Sequence, residues 1–326
     1  MAQPRSIRVE TGARLHFGLL DTAAPFGGLG AMIDRPETIL QFNPADQFTL
    51  DQALQPRGMP IVERLCHHLG IETLPPIEVH RLRAAPAHCG YGSGTQLSLA
   101  IAEGLCKMLD SEVPPAVLAA QIAQRGKRSA VGIHGYFHGG MIFEQHPTQQ
   151  QPSDFVDINP IDARLTVPSH WRIVLARPAV TSPAMSGERE ANEFSKLAAN
   201  CANRRHLAER VRQKVLPAVA SADFDAFTDA LSRYNHDCGM LFAAVQGGPY
   251  NGPEVTELIE VFRACGAAGV GQSSWGPGVF AWCENEPRAH RLAAEIEATG
   301  AVTELAGPLN TGRRIHILPR LDHDGD

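Results

Sequence analysis

Residues 86–102, PAHCGYGSGTQLSLAIA, hold the densest chemistry in the chain. Gly90, Gly92 and Gly94 alternate with Tyr91, Ser93 and Thr95, so consecutive amides can turn inward and an anion can approach the main chain closely. Beyond Thr95 the spacing of Leu97, Ala100, Ile101, Gly104 and Leu105 predicts a helix. Its positive end and its unpaired N–H groups then fall at the loop. Gly90, Gly92, Ser93, Gly94, Thr95 and Gln96 are therefore candidates for holding phosphate. No Lys follows the last glycine, which excludes a Walker-type loop, and the Gly-x-Gly-x-x-Gly spacing of a dinucleotide site is not matched. A tight turn that binds nothing is the plainer alternative for three glycines ahead of a helix.

Three other stretches carry polar groups at useful spacings. In residues 11–21, TGARLHFGLLD, alternation puts Arg14, His16 and Gly18 on one face of a strand and Leu15, Phe17 and Leu19 on the other. An Arg beside a His, with Asp21 at the strand's end, suits an anionic substrate next to a group that exchanges protons near neutral pH. A water-facing polar edge is the alternative. Residues 124–140 crowd Arg125, Lys127 and Arg128 together ahead of Ser129. Arg125 and Lys127 suit a helix C-terminus, whereas Arg128 and Ser129 read as a second anion contact. His134 and His138 have i, i+4 spacing, but the glycines around them argue against a helix and so against a metal pair. Residues 269–280, GVGQSSWGPGVF, form a turn between two strands that can approach a ligand or the first loop. That makes Gln272, Ser273, Ser274 and Gly276 candidate substrate contacts and Trp275 either a pocket wall or a core aromatic. Glu188 and Glu190 read as helix-dipole partners first and as magnesium or base candidates second.

These groups need a scaffold of strands and helices. Strands are predicted over 5–20, 37–42, 77–82, 140–144, 171–176, 267–272, 278–283 and 313–318. Helices are predicted over 60–70, 94–109, 114–125, most of 186–244, 253–265 and 286–298. The strand at 77–82 delivers the chain to the glycine loop. The polar, Pro-flanked stretch 146–153 reads as an exposed loop, and the Arg-rich stretch 203–212 as a solvated helix face. A boundary near residue 165 gives units 1–165 and 166–326, and a chain of 326 residues suits two subdomains sharing an interface. Seven cysteines, never closer than 17 residues apart, show neither zinc spacing nor a disulfide framework, and Cys89 reads as a small loop filler. A net charge of −6 argues against nucleic acid as a partner. No apolar run reaches the roughly 18 residues of a membrane span. The N-terminal residues lack the apolar core of a secretion signal, so the expected compartment is the cytoplasm and the expected assembly a homodimer. The end, LDHDGD, reads as fraying rather than as a metal site.

The Arg/His/Asp strand, the Pro-x-x-x-Gly-x-Gly-Ser-Gly loop and the late Gly-x-Gly-x-Ser-x-x-Gly turn, in that order, resemble the motifs of the GHMP superfamily of small-molecule kinases. The match spans nearly the whole chain. Within the superfamily, ARLHFGLLD, GYGSGTQLSLAIAEGL, RGKRSAVGI and GVGQSSWGP are most similar to the β-ribofuranosylaminobenzene 5′-phosphate synthases, which begin the arene part of tetrahydromethanopterin. The resemblance implies an α+β fold, its N-terminal half like ribosomal protein S5 domain 2 and its C-terminal half ferredoxin-like, with the ligand between them. It implies that 5-phosphoribosyl 1-pyrophosphate and 4-aminobenzoate or 4-hydroxybenzoate give a carbon-linked riboside phosphate, CO2 and pyrophosphate, with Mg2+. Arg14, Arg125 and Arg128 would grip the anionic substrates, His16 would move a proton or bond a substrate oxygen, and Asp21 would orient it. Cys89 and Tyr91 stand where aliphatic residues are more usual. An ATP-dependent kinase is the alternative, although Ser-Gly-Thr-Gln replaces the usual double serine; a non-catalytic sensor is a third reading.

Overall fold

Apolar residues recur along β1 (Arg5–Leu19), and β2 (Gly28–Pro44) pairs antiparallel with it from Leu19 opposite Gly28 to Ile7 opposite Phe42. The computed structural model that shows this describes residues 5–145, 158–179, 192, 197 and 201–319. The Pro/Gly-rich start of β2 is predicted as a loop, with a separate strand only at 37–42, yet the strand is continuous. Its glycines are there for proximity: a Cβ on Gly30 would sit 2.3 Å from the Leu15 carbonyl oxygen, and one on Gly28 2.7 Å from that of Gly18. The register shifts between His16 and Gly18, as at a β-bulge, which re-aims the side chains at the site.

The first sheet continues from β2 to β4 (Ile77–Arg83) and the short β3 (Thr49–Leu50). On the other stretch of β2 lies β5 (Met141–Glu144), followed by β6 (Ile161–Leu165). The outer edge of β1 is covered by β11 (Arg314–Pro319), so the last described strand belongs to the first sheet. The second sheet is antiparallel, in the order β10 (Val302–Ala306), β7 (Arg172–Arg177), β9 (Val279–Cys283), β8 (Ala268–Gln272). β6 and β10 are not predicted from the sequence, because each is short and only partly buried.

Helices α1 (Gln55–Leu69) and α2 (Ser93–Met108) bury Ile61, Leu65, Leu99, Ile101 and Leu105 against Leu40, Phe42 and Val79 of the first sheet. α1 starts five residues earlier than predicted, since Pro56 sits in its first turn, where proline is tolerated. α3 (Val131–His138) forms where a helix was not expected. Its Gly135 is required by packing, because a Cβ there would lie 2.4 Å from Met32 Sδ. The helical run 201–220, α4, leads into α5 (Phe224–Met240), while α6 (Pro253–Ala264) and α7 (Glu286–Glu297) back the second sheet through Ile259, Phe262, Leu292 and Ile296.

One core is shared by both sheets. Phe17 of β1 meets Phe280 of β9 edge-on at 5.2 Å, and Trp171 stacks on Phe227 of α5 at 4.9 Å. From Thr11 onward β1 is largely buried on both faces, and its Arg14 and His16 border a cavity between the halves.

Candidate active site

The glycine loop ends with Gly92 at φ 68°, the N-cap of α2. The Gly92 carbonyl accepts the Thr95 and Gln96 amides at 3.0 and 3.2 Å. The amides of Ser93 and Gly94, at the first turn, are the ones left to face an anion. Both residues line a cavity of about 920 Å³ whose wall also carries Arg57, Arg64, Arg81, Arg83, Arg125 and Lys127 and, among the described residues, no carboxylate. Arg57 donates to the Gly94 carbonyl at 3.3 Å, and Arg125 donates to Ser98 Oγ through two nitrogens at 3.0 and 3.2 Å. A side chain on Gly94 would press on the Arg57 guanidinium, 3.2 Å from the ideal Cβ. Burial, with Arg57 and Arg64 alongside, lowers Arg125 to about 10, so it stays a cation at neutral pH.

Gln124, Arg125 and Lys127 form a crest that also borders a second cavity of about 710 Å³ between the two halves. Its lining combines the cations Arg14, Arg125, Lys127 and Arg128 with the apolar Leu19, Phe26, Cys238, Phe242 and Trp275. Trp275 is fixed by its indole N–H, which donates to Gln246 Oε1 at 2.9 Å, and by the Phe242 ring at 5.2 Å. Among the described residues no carboxylate lines this cavity either. His16 borders it, nearly buried, with Nε2 3.1 Å from Ser129 Oγ. Burial, then the neighbouring Arg14, holds the imidazole well below its ordinary 6.5, so it is neutral at pH 7.

The expected site residues divide into those at the cavities and those that build them. Arg14, His16, Thr95, Arg125, Arg128, Ser129, Gln272 and Ser274 line the interdomain cavity, and Ser93 and Gly94 the outer one. Gly90, Ser273 and Gly276 instead lock the two glycine turns together. Ser273 Oγ donates to the Gly90 carbonyl at 2.8 Å, and a Cβ on Gly276 would fall 2.3 Å from the Gly90 nitrogen. Gln96 is fully buried, accepting from Thr11 Oγ1 at 2.7 Å and donating to the Gly132 carbonyl at 2.8 Å, which makes it a tie between α2 and its neighbours. Asp21 accepts the Thr22 and Ala23 amides at 2.7 and 3.3 Å and lines neither cavity; the group on His16 Nε2 is Ser129. Gly92 packs over Arg14, whose Cβ lies 3.2 Å from an added Cβ.

Cys89 is a buried thiol pushed up by burial, in keeping with a loop filler. His134 shares a helix with His138 after all, but its Nε2 donates to the Asn159 carbonyl at 2.7 Å. Among the described residues no three His, Cys, Asp or Glu side chains gather as a metal site. Glu188, Glu190, the loop 146–153 and the end 321–326 lie outside the described residues. Sequence reasoning missed Arg57, Ser98 and Glu144. Arg57 and Ser98 meet only through tertiary packing of α1 on α2, and Glu144 reads as an ordinary strand residue.

The fold and the paired glycine turns define a class. Residues 58–141 match the model of the GHMP kinases N terminal domain and residues 215–302 that of GHMP kinases C terminal, together more than half of the chain. The chain belongs to the GHMP kinase superfamily. Solved structures share the fold: homoserine kinase from Cytophaga hutchinsonii has a TM-score of 0.64 at 16% identity, covering 95% of this chain and 97% of that one. Mevalonate-3-kinase from Thermoplasma acidophilum has a TM-score of 0.65 at 11% identity, covering 98% and 100%. In sequence the chain is similar to two proteins named beta-ribofuranosylphenol 5′-phosphate synthase. That of Methanothermobacter thermautotrophicus is 28% identical over 92% of this chain and 93% of its own length, and that of Archaeoglobus fulgidus 27% identical over 84% and 87%.

Proposed function

We propose that this protein transfers ribose 5-phosphate from 5-phosphoribosyl 1-pyrophosphate to 4-hydroxybenzoate or 4-aminobenzoate, releasing CO2 and pyrophosphate, as in the first arene step toward tetrahydromethanopterin. The observation that carries the reading is the interdomain cavity, lined by cations and aromatic rings together and joined through Arg125 and Lys127 to the arginine-rich cavity at the start of α2. Similarity to the named phenol phosphate synthases over nearly their full length supports it.

The donor's diphosphate is the group suited to the Ser93 and Gly94 amides and to Arg125. Fixed dipoles and cations there stabilise the negative charge that grows as the leaving group departs. The ribose becomes oxocarbenium-like. The ring carbon bearing the carboxylate then attacks the anomeric carbon, and loss of CO2 restores aromaticity without a carbanion-stabilising cofactor. Arg14 and Arg128, in the lining of the same cavity, suit the anionic groups of the two substrates. Phe26, Phe242 and Trp275 suit the acceptor's ring.

Magnesium ions favour carboxylates and phosphates, and among the described residues neither cavity offers a carboxylate. The described residues do not make a Mg2+ site of their own; we propose that the ion travels with the diphosphate. A homodimer is the proposed assembly, the commonest closed arrangement, to be checked by light scattering. The test of the activity is direct. Protein incubated with the donor, Mg2+ and either benzoate labelled at its carboxyl should release labelled CO2 and pyrophosphate in equal amounts. Neither product from folded protein rejects the assignment.

A further inference from the structure

One carboxylate beside the interdomain cavity has no part in the chemistry above. Glu144 ends β5, is fully buried, and accepts the Ala130 amide through Oε2 at 2.7 Å at the start of α3. Its Oε1 is buried without a hydrogen-bond partner, so capping α3 employs only part of the group. Ser129 stands between this carboxylate and the cavity. Its hydroxyl, together with the Ala130 and Val131 amides, favours the charged form of Glu144, and the same Oγ lies 3.1 Å from His16 Nε2. Ser129 and His16 line the cavity, whereas Glu144 is not part of its lining. The charged and titratable groups that act on the carboxylate are Arg14 on β1 and Tyr234 on α5, with Ser129 ahead of α3 linking it to His16 on β1. Burial outweighs Ser129, the two amides and Arg14 and pushes Glu144 up to about 7.

Resting on the transfer reaction above, we propose that Glu144, acting through Ser129, takes the proton of a phenolic acceptor during carbon–carbon bond formation and returns it when CO2 departs. With 4-hydroxybenzoate, the ring carbon forms its bond to the anomeric carbon as the bond to diphosphate breaks, and the electrons come from the para oxygen. The O–H proton of that oxygen passes to Ser129 Oγ as the Ser129 proton passes to Glu144. The carboxylate then leaves as CO2, its C–C bonding pair returns to the ring, and the para oxygen recovers the proton. With 4-aminobenzoate the nitrogen lone pair drives the same attack with no proton loss, so the relay is dispensable. Glu144 is a positioning and proton-holding residue, and the acceptor class is where its role shows.

The experiment compares the two acceptors in wild type, Glu144→Gln and Ser129→Ala, with circular dichroism to establish folding. Both variants should lose about 10²-fold in kcat with 4-hydroxybenzoate, the scale of a general acid–base contribution, and under fivefold with 4-aminobenzoate. The limb of the 4-hydroxybenzoate kcat/KM profile near pH 7 should vanish in Glu144→Gln. Equal losses with both acceptors, or none, overturn the relay, as does a wild type that uses only the amine. A wild type that converts neither acceptor overturns the transfer reading itself. Should Glu144→Gln fail to fold, Ser129→Ala carries the same comparison.

Discussion

At the scale of single residues, the site is cationic, and its acidic group is hidden. Arg57 and Arg125 rest on neutral oxygens of Gly94 and Ser98, so a phosphate arriving at α2 would meet guanidinium groups not neutralised by those contacts. Arg57→Met should raise the donor KM about 10- to 100-fold, the value of a charge-assisted hydrogen bond or two, with kcat changed much less. An unchanged KM would remove Arg57 from the donor's binding site. Glu144 and His16 make opposite demands on pH. The folded chain holds Glu144 at about 7 against an ordinary 4.5, so it keeps a proton the unfolded chain releases, and this residue's contribution worsens as pH rises from about 4.5 to 7. His16 is shifted below 6.5, so the unfolded chain takes up a proton the folded one refuses, and its contribution worsens as pH falls below about 6.5. Glu144→Gln abolishes only the first effect. Its stability relative to wild type should climb between pH 5 and pH 8 by up to about 3 kcal/mol, read from thermal melts; a flat difference would mean Glu144 carries no raised pKa. The glycine loop, Arg14, His16, Ser129 and Trp275 were legible in the sequence because their neighbours along the chain already suggest a turn, a strand or an anion. Arg57, Ser98 and Glu144 were not, because their chemistry comes from partners 37, 27 and 14 residues away.

At the scale of elements, glycine does two jobs that a local reading merges. In the loop it supplies positive φ at Gly90 and Gly92, and that use was legible. In β2, α2 and α3 it supplies thinness, which depends on what lies opposite and leaves no local mark. The breaks expected in β2 and at residues 131–138 came from this ambiguity, since Gly30 and Gly135 are there for the Leu15 carbonyl and for Met32. Gly104 is the sharpest case that bears on the site. It lies in the middle of α2, and a Cβ there would come within 2.1 and 2.2 Å of Phe42 ring carbons on β2. Gly104→Ala should therefore lift α2 off the sheet, cost roughly 1–3 kcal/mol by overpacking, and lower the melting temperature by several degrees. Because the Ser93 and Gly94 amides ride on the same helix, donor KM should rise with it. Pairing the change with Phe42→Leu should restore much of both. A double variant no better than the single one would show that the strain lies elsewhere.

At the scale of the whole molecule, the site exists only while the two halves hold their mutual position. The order of three motifs along the chain was enough to announce a fold of this kind. What it could not announce was the joinery: β11 returning to β1, Ser273 against Gly90, and α5 clamped on β1. Asn235 of α5 is the center of that joinery. Its Nδ2 donates to the carbonyls of Phe17 and Gln272, both at 2.8 Å, while Oδ1 accepts the Gln272 amide at 3.0 Å, all in a buried setting. One side chain thus fixes β8 against the strand that carries His16, and it borders the interdomain cavity as it does so. Asn235→Ala would leave three buried backbone groups unpaired, each costing on the order of 1–3 kcal/mol if water does not reach it. Such a loss falls on the relative placement of the halves before it falls on either half alone. The variant should therefore melt several degrees lower and show a reduced kcat with raised KM for both substrates, because His16 and Ser274 come from opposite sides of the joint. Surface substitutions on α6 or α7 of equal cost in stability should leave the kinetics alone. If Asn235→Ala lost stability and kept wild-type kcat and both KM values, the joint would be a matter of folding only, and the cavity would owe its shape to each half separately.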